Sequence, residues 1–161
     1  ISDGVVLPRG ATFDYTRVQV RGQTANRRVL ALNGRFETGS FYSGTRHQTV
    51  MQLTLRARPG VIVYTNGEWN QVSLPGGSFT SNLYRIVAET QFTPFMALVN
   101  NMQFDTTSQV LGWQSRFRWI VRPGNDLYVV YTHNWLDDPT LDRFRTLDRR
   151  GATKALYTHR F

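Results

Sequence analysis

Histidine, aspartate and arginine are the residues of this 161-residue chain that could do chemistry; cysteine is absent. Thiol nucleophiles, Cys-ligated zinc and disulfide scaffolds are therefore excluded. The three histidines, His47, His133 and His159, would be the general bases or metal ligands. None lies in an H-E-x-x-H run and no G-x-S-x-G segment accompanies them, so neither zinc hydrolysis nor a nucleophile elbow is supported. Asp137, Asp138, Asp142 and Asp148 cluster as calcium ligands could, but their spacing fits no EF-hand loop. Arg143, Arg145, Arg149 and Arg150 also sit among them, so the segment reads as a solvated outer loop. No metal, cofactor or catalytic residue is expected.

Arginine is the more informative type. Nineteen basic groups against eleven acidic ones give a net charge of +8, and Lys154 is the only lysine. Such a balance suits nucleic acid, a membrane surface or a channel for anions. Single-strand binding would need aromatic and cationic side chains on one surface. Here they fall on opposite faces of each predicted strand, so nucleic acid is not an expected partner.

The elements that must carry these residues are strands. Period-two alternation recurs in stretches of about 9–13 residues, with almost no helical periodicity. From Gln48 to Arg58, Thr49, Met51, Leu53, Leu55 and Ala57 take one face, and Gln48, Gln52, Thr54, Arg56 and Arg58 the other. Val110–Arg122 repeats the design, with Leu111, Trp113, Phe117, Trp119 and Val121 opposite Gly112, Gln114, Arg116, Arg118 and Arg122. Leu83–Phe92 does so too, and weaker versions cover 28–37, 61–72, 95–105, 126–136 and 152–161. Short turns at 58–60, 91–94 and 122–125 alternate with longer loops at 38–46, 71–78 and 136–151, with 104–109 intermediate. This spacing predicts an all-β, antiparallel, up-and-down barrel in a single domain.

Alternation alone does not say which face points inward. Two readings follow: a soluble lipocalin-like barrel whose apolar face lines a small-ligand cavity, or a transmembrane barrel with a polar lumen. Three features favour the membrane barrel. Stretch lengths match the ~9–11 residues of a tilted membrane strand. Large aromatics stand near stretch ends on the apolar face, as girdles at the two membrane interfaces would: Trp69, Trp113, Trp119, Trp135, Tyr157 and Phe161. The opposite face collects Arg35, Arg56, Glu68, Arg85, Glu89, Gln114, Arg116 and Arg118, as a hydrogen-bonded, basic lumen would.

Several segments then carry a resemblance. These are Asp3-Gly4-Val5-Val6-Leu7-Pro8-Arg9-Gly10, Gly39-Ser40-Phe41-Tyr42-Ser43-Gly44-Thr45-Arg46 and Leu74-Pro75-Gly76-Gly77-Ser78-Phe79. The most specific is Arg116-Phe117-Arg118-Trp119-Ile120-Val121-Arg122-Pro123-Gly124-Asn125-Asp126-Leu127-Tyr128-Val129-Val130-Tyr131. Together they resemble the carboxy-terminal β-barrel domain, of unassigned function, of bacterial outer-membrane proteins that carry an amino-terminal family-9-like carbohydrate-binding domain. The likeness does not include that binding domain, so carbohydrate binding is not carried over. It implies the outer membrane of a Gram-negative bacterium, with outer-membrane lipid and lipopolysaccharide as surroundings.

The terminal Phe161 resembles the signal read by the barrel-assembly machinery, although His159 departs from it. Counting Phe13–Arg21 gives about nine spans, whereas single-chain bacterial barrels normally have even counts. Either the first stretch does not span, or these residues are the carboxy-terminal part of a larger barrel, which the resemblance favours. The missing partner strands would then come from the same protein or from other outer-membrane subunits. The expected role is passive: a membrane anchor or pore with a basic lumen.

Overall fold

The computed structural model describes residues 12–158. Nine strands follow one another: β1 Arg17–Gln23, β2 Leu30–Phe41, β3 Gly44–Arg58, β4 Val61–Leu74, β5 Gly77–Thr93, β6 Met96–Asp105, β7 Val110–Arg122, β8 Asn125–Asp138 and β9 Arg143–Leu156. Each pairs antiparallel with its sequence neighbours, giving one sheet in the order β1 to β9. There is no helix among the described residues. The sheet is open, with β1 and β9 as its edges. The predicted all-β meander is present; a closed barrel is not.

Alternating β-branched, aromatic and polar residues explain the strands, because such side chains suit a pleated surface with two unlike faces. The strand cores lie where the periodicity puts them, and β7 coincides with the Val110–Arg122 stretch. Of the two readings of the first stretch, Arg17–Gln23 does pair along β2, so nine strands are formed.

The connections differ from expectation. The segments 38–46 and 71–78 are almost wholly strand, joined by two-residue turns at Tyr42-Ser43 and Pro75-Gly76. Most of 136–151 belongs to β8 and β9, which meet through four residues. Gly, Ser and charged residues commonly mark loops, but here they extend paired strands: Ser40 faces Thr45, and Arg46 faces Val72. Tyr42 takes a left-handed conformation (φ 51°), which closes the β2–β3 turn tightly. Short and long connections therefore do not alternate. β9 also begins nine residues before the predicted 152–161 stretch and ends at Leu156; Phe161 lies outside the described residues.

The connections define two rims. The near rim holds 24–29, 59–60, 94–95, 123–124 and the end of β9; the far rim holds the other turns and the start of β1. Three β-bulges, at Arg56/Arg58, Gln91/Thr93 and Ile120/Arg122, sit just before the two-residue near-rim turns. Bulges increase local twist, so they bend the sheet where each hairpin turns back.

Pro59-Gly60 shows how tight these turns are. Gly60 has φ 79°, and a Cβ added there would meet the Gln91 carbonyl oxygen at 2.7 Å. The same glycine's carbonyl accepts the Gln91 N–H at 2.7 Å. Gly60→Ala is expected to destabilise the sheet by roughly 1–3 kcal/mol in equilibrium denaturation, from the left-handed backbone and the contact together.

Candidate functional site: the two faces of the sheet

Because side chains alternate and paired residues share a face, the register assigns the paired residues between the bulges to one side or the other. The eight residues predicted to line a lumen all fall on one face. Arg35 lies in a row with Val50, Glu68 and Leu83, and Arg85 in a row with Asn66 and Gln103. Arg56, Glu89 and Arg116 share a third row through Ile62 and Val99. Gln114 faces Asn101, and Arg118 faces Ala97 and Tyr128. Trp69, Trp113, Trp119 and Trp135 all lie on the other face, as the partners of Thr49, Met102, Met96 and Leu111.

The polar face is the sheltered one over β2–β5. All four buried residues among those described, Ala31, Gln48, Val72 and Val87, belong to it. Along β3 the polar Gln52, Thr54 and Arg56 are half-buried while Met51, Leu53 and Leu55 are exposed at 40–42%. On β5 Ile86 is 51% exposed, beside the buried Val87. The shelter ends toward β7, where Gln114, Arg116 and Arg118 are exposed, as is Glu89 on β5.

Three hydrogen-bonded groups organise this face. Glu68 Oε1 accepts from Gln48 Nε2 and from Asn70 Nδ2 (2.9 Å), while Arg35 Nη2 donates to Gln48 Oε1 at 3.4 Å. Arg85 Nε donates to Gln103 Oε1 at 3.2 Å. At the near rim Asp126 Oδ2 accepts from Arg118 Nη2 (2.7 Å) and from the Tyr128 hydroxyl (3.1 Å), with the guanidinium over the Tyr128 ring. Arg56 donates to the Arg28 carbonyl at 3.4 Å.

A feature missed in the sequence is a row crossing every strand of this face: Gln23, Asn33, Gln52, Asn66, Arg85, Gln103, Gly112, Asn134 and Asp148. Six of the nine are amides, and only the pairing register could reveal it. The row starts at Gln23, the last residue of β1, and meets β9 at Asp148, eight residues short of Leu156. Measured from the near-rim ends of the strands, the row lies six residues in on β3, eight on β5, ten on β7 and eight on β9.

The aromatic residues occupy both ends of the apolar face. Toward the far rim, Trp113, Tyr131, His133 and Trp135 form a chain of ring contacts, with His133 stacked on Trp135 at 3.8 Å. Trp69 covers Gly67, where a Cβ would meet its ring at 2.4 Å, and donates its Nε1–H to the Tyr84 hydroxyl at 3.1 Å. Toward the near rim stand Trp119 and, just beyond β9, the exposed Tyr157. Between the two sets run Leu32, Leu53, Leu55, Ile86, Leu98, Met102 and Val129.

The remaining candidate chemistry is dispersed. His47 contacts Thr38 and Phe36 on β2, five strands from His133, whose Nε2 lies 3.1 Å from Thr146 Oγ1. His159 lies outside the described residues. Asp138 accepts from the Thr140 amide in the β8–β9 turn, and Asp148 accepts from Asn134 at 2.9 Å. Among the described residues no cluster of three or more His, Asp or Glu could hold a metal ion.

Removing the central acceptor should be costly. Glu68→Ala strips Gln48 and Asn70 of their partner and leaves the buried Gln48 amide short of one hydrogen bond. A loss of about 1–3 kcal/mol in equilibrium denaturation is expected, largely restored in Glu68→Gln, which keeps an acceptor oxygen.

Compared with known proteins, the chain matches no family model and no curated protein.

Proposed function

We propose that this chain is part of a transmembrane β-barrel of a bacterial outer membrane, serving as a membrane anchor or passive pore with a basic, polar lumen. The observation that carries the reading is the inverted burial over β2–β5: Arg35, Arg56, Arg85 and the amides beside them are half-buried or buried on one face, while Leu32, Met51, Leu53, Leu55 and Ile86 are exposed on the other, with aromatics at both ends of that face. In lipid such a surface costs nothing to expose, whereas in water it is a large apolar patch. The likeness of the Arg116–Tyr131 segment to outer-membrane barrel domains supports the same location.

Geometry adds to it. Asn66 Oδ1 and Asn101 Oδ1 are enclosed on the polar face with no protein partner, which suits a wet lumen where water completes the bonding. A lipocalin-like barrel would need the apolar face inward, the reverse of the burial on β3 and β5.

Closure requires further strands. Hydrocarbon satisfies no backbone N–H or C=O, so the outer edges of β1 and β9, which no strand of the described residues covers, must be paired in the membrane. β1 and β9 run in the same direction, so an all-antiparallel barrel needs an odd number of additional strands between them. The reading assigns these to the same protein or to another outer-membrane subunit.

Outer-membrane fractionation followed by gel mobility tests this. The account expects detergent-dependent extraction and faster migration of the unheated than of the boiled protein; release into the soluble fraction without detergent contradicts it. If the lumen conducts, planar-bilayer recordings should show anion preference. Neutralising Arg56, Arg85 and Arg116 to Gln should shift the reversal potential toward cations.

A further inference from the structure

The two rims differ in charge in a way that alternation does not require. Counting each connection with the strand residue on either side, the near rim holds Arg27, Arg28, Arg58 and Arg122 and no carboxylate; the nearest, Asp126, lies one residue further along β8 and is neutralised by Arg118 at 2.7 Å. The far rim, counted alike, holds Asp105, Asp138, Asp142 and Arg143. All four near-rim arginines are exposed. Arg28 is contacted by Arg56 through its backbone carbonyl, which leaves the Arg28 guanidinium out of that contact. Three of the near-rim connections are two residues long, so their ends stand close to the aromatic level marked by Trp119 and by the exposed Phe92 and Phe95.

We propose that the near rim is a docking surface for anionic glycerophospholipid headgroups, its four arginines pairing with the phosphates of one leaflet. This rests on the membrane reading above. Guanidinium groups match phosphate oxygens bidentately, and basic residues at a membrane surface gain from its negative potential. Short turns favour this source over the tall saccharide of lipopolysaccharide, because the arginines reach a phosphate layer beside the aromatic ring level and extend no further. The carboxylates of the far rim repel the same headgroups, so the charge difference also fixes which way up the sheet sits.

The test uses the complete membrane-inserted protein in phosphatidylcholine vesicles carrying a trace of spin-labelled phosphatidylglycerol or spin-labelled phosphatidylcholine. The fraction of label immobilised at the protein surface gives a relative association constant. A preference of at least about threefold for phosphatidylglycerol is expected, falling toward one in 1 M salt and in the variant Arg27→Gln/Arg28→Gln/Arg58→Gln/Arg122→Gln. If that variant does not insert, the salt titration of the unaltered protein decides alone. Equal immobilisation of the two lipids overturns the proposal while leaving the membrane reading standing. Immobilisation of neither overturns both. A preference shown only by added lipopolysaccharide overturns the assignment to glycerophospholipid.

Discussion

A single layer of sheet has no interior, and everything else in this molecule answers to that constraint. An apolar sheet face must be buried against another element or another apolar phase. Here no second layer of the described chain covers it, and the buried side chains among the described residues, Ala31, Gln48, Val72 and Val87, lie on the opposite face. The ladder between neighbouring strands supplies the cohesion, together with cross-strand pairs such as Trp69 with Tyr84 and Arg85 with Gln103. What holds the apolar face must come from outside, and a lipid bilayer is the medium that asks for no shape complementarity in return.

The polar face answers the complementary problem. Arginines brought close together repel unless carboxylates or neutral acceptors separate them. The row through Arg56, Glu89 and Arg116 alternates sign across the sheet, and in the amide row Arg85 lies between Asn66 and Gln103. Glu68 is held by two amides, and Arg35 reaches it through Gln48. Such a face tolerates water without needing it to fill every site, as the proposed lumen would require.

Much of this was legible in the sequence because period two is rigid: once β3 and β7 are in phase, Arg56 and Arg116 cannot leave the polar face, nor Trp113 and Trp119 the apolar one. What the sequence hid depends on pairing. Asn66, Gln103 and Asn134 look like scattered amides until the register aligns them. Loop lengths were misjudged at 38–46 and 71–78, since Gly39, Ser40 and Ser73 carry turn-like composition but sit in paired strands. The charge difference between rims was likewise hidden, because it depends on which turns share an end.

The central claim, that the polar face points inward and the apolar face meets lipid, is tested most directly by single-cysteine scanning of β3. The chain has no native cysteine to interfere. Spin labels placed in turn at positions 50 to 56 of the membrane-reconstituted protein report collisions with lipid-soluble oxygen and with a water-soluble nickel chelate. The account predicts a period of two, with oxygen favoured at Met51, Leu53 and Leu55 and the chelate at Val50, Gln52, Thr54 and Arg56. The opposite phase, or chelate access at every position, would contradict it.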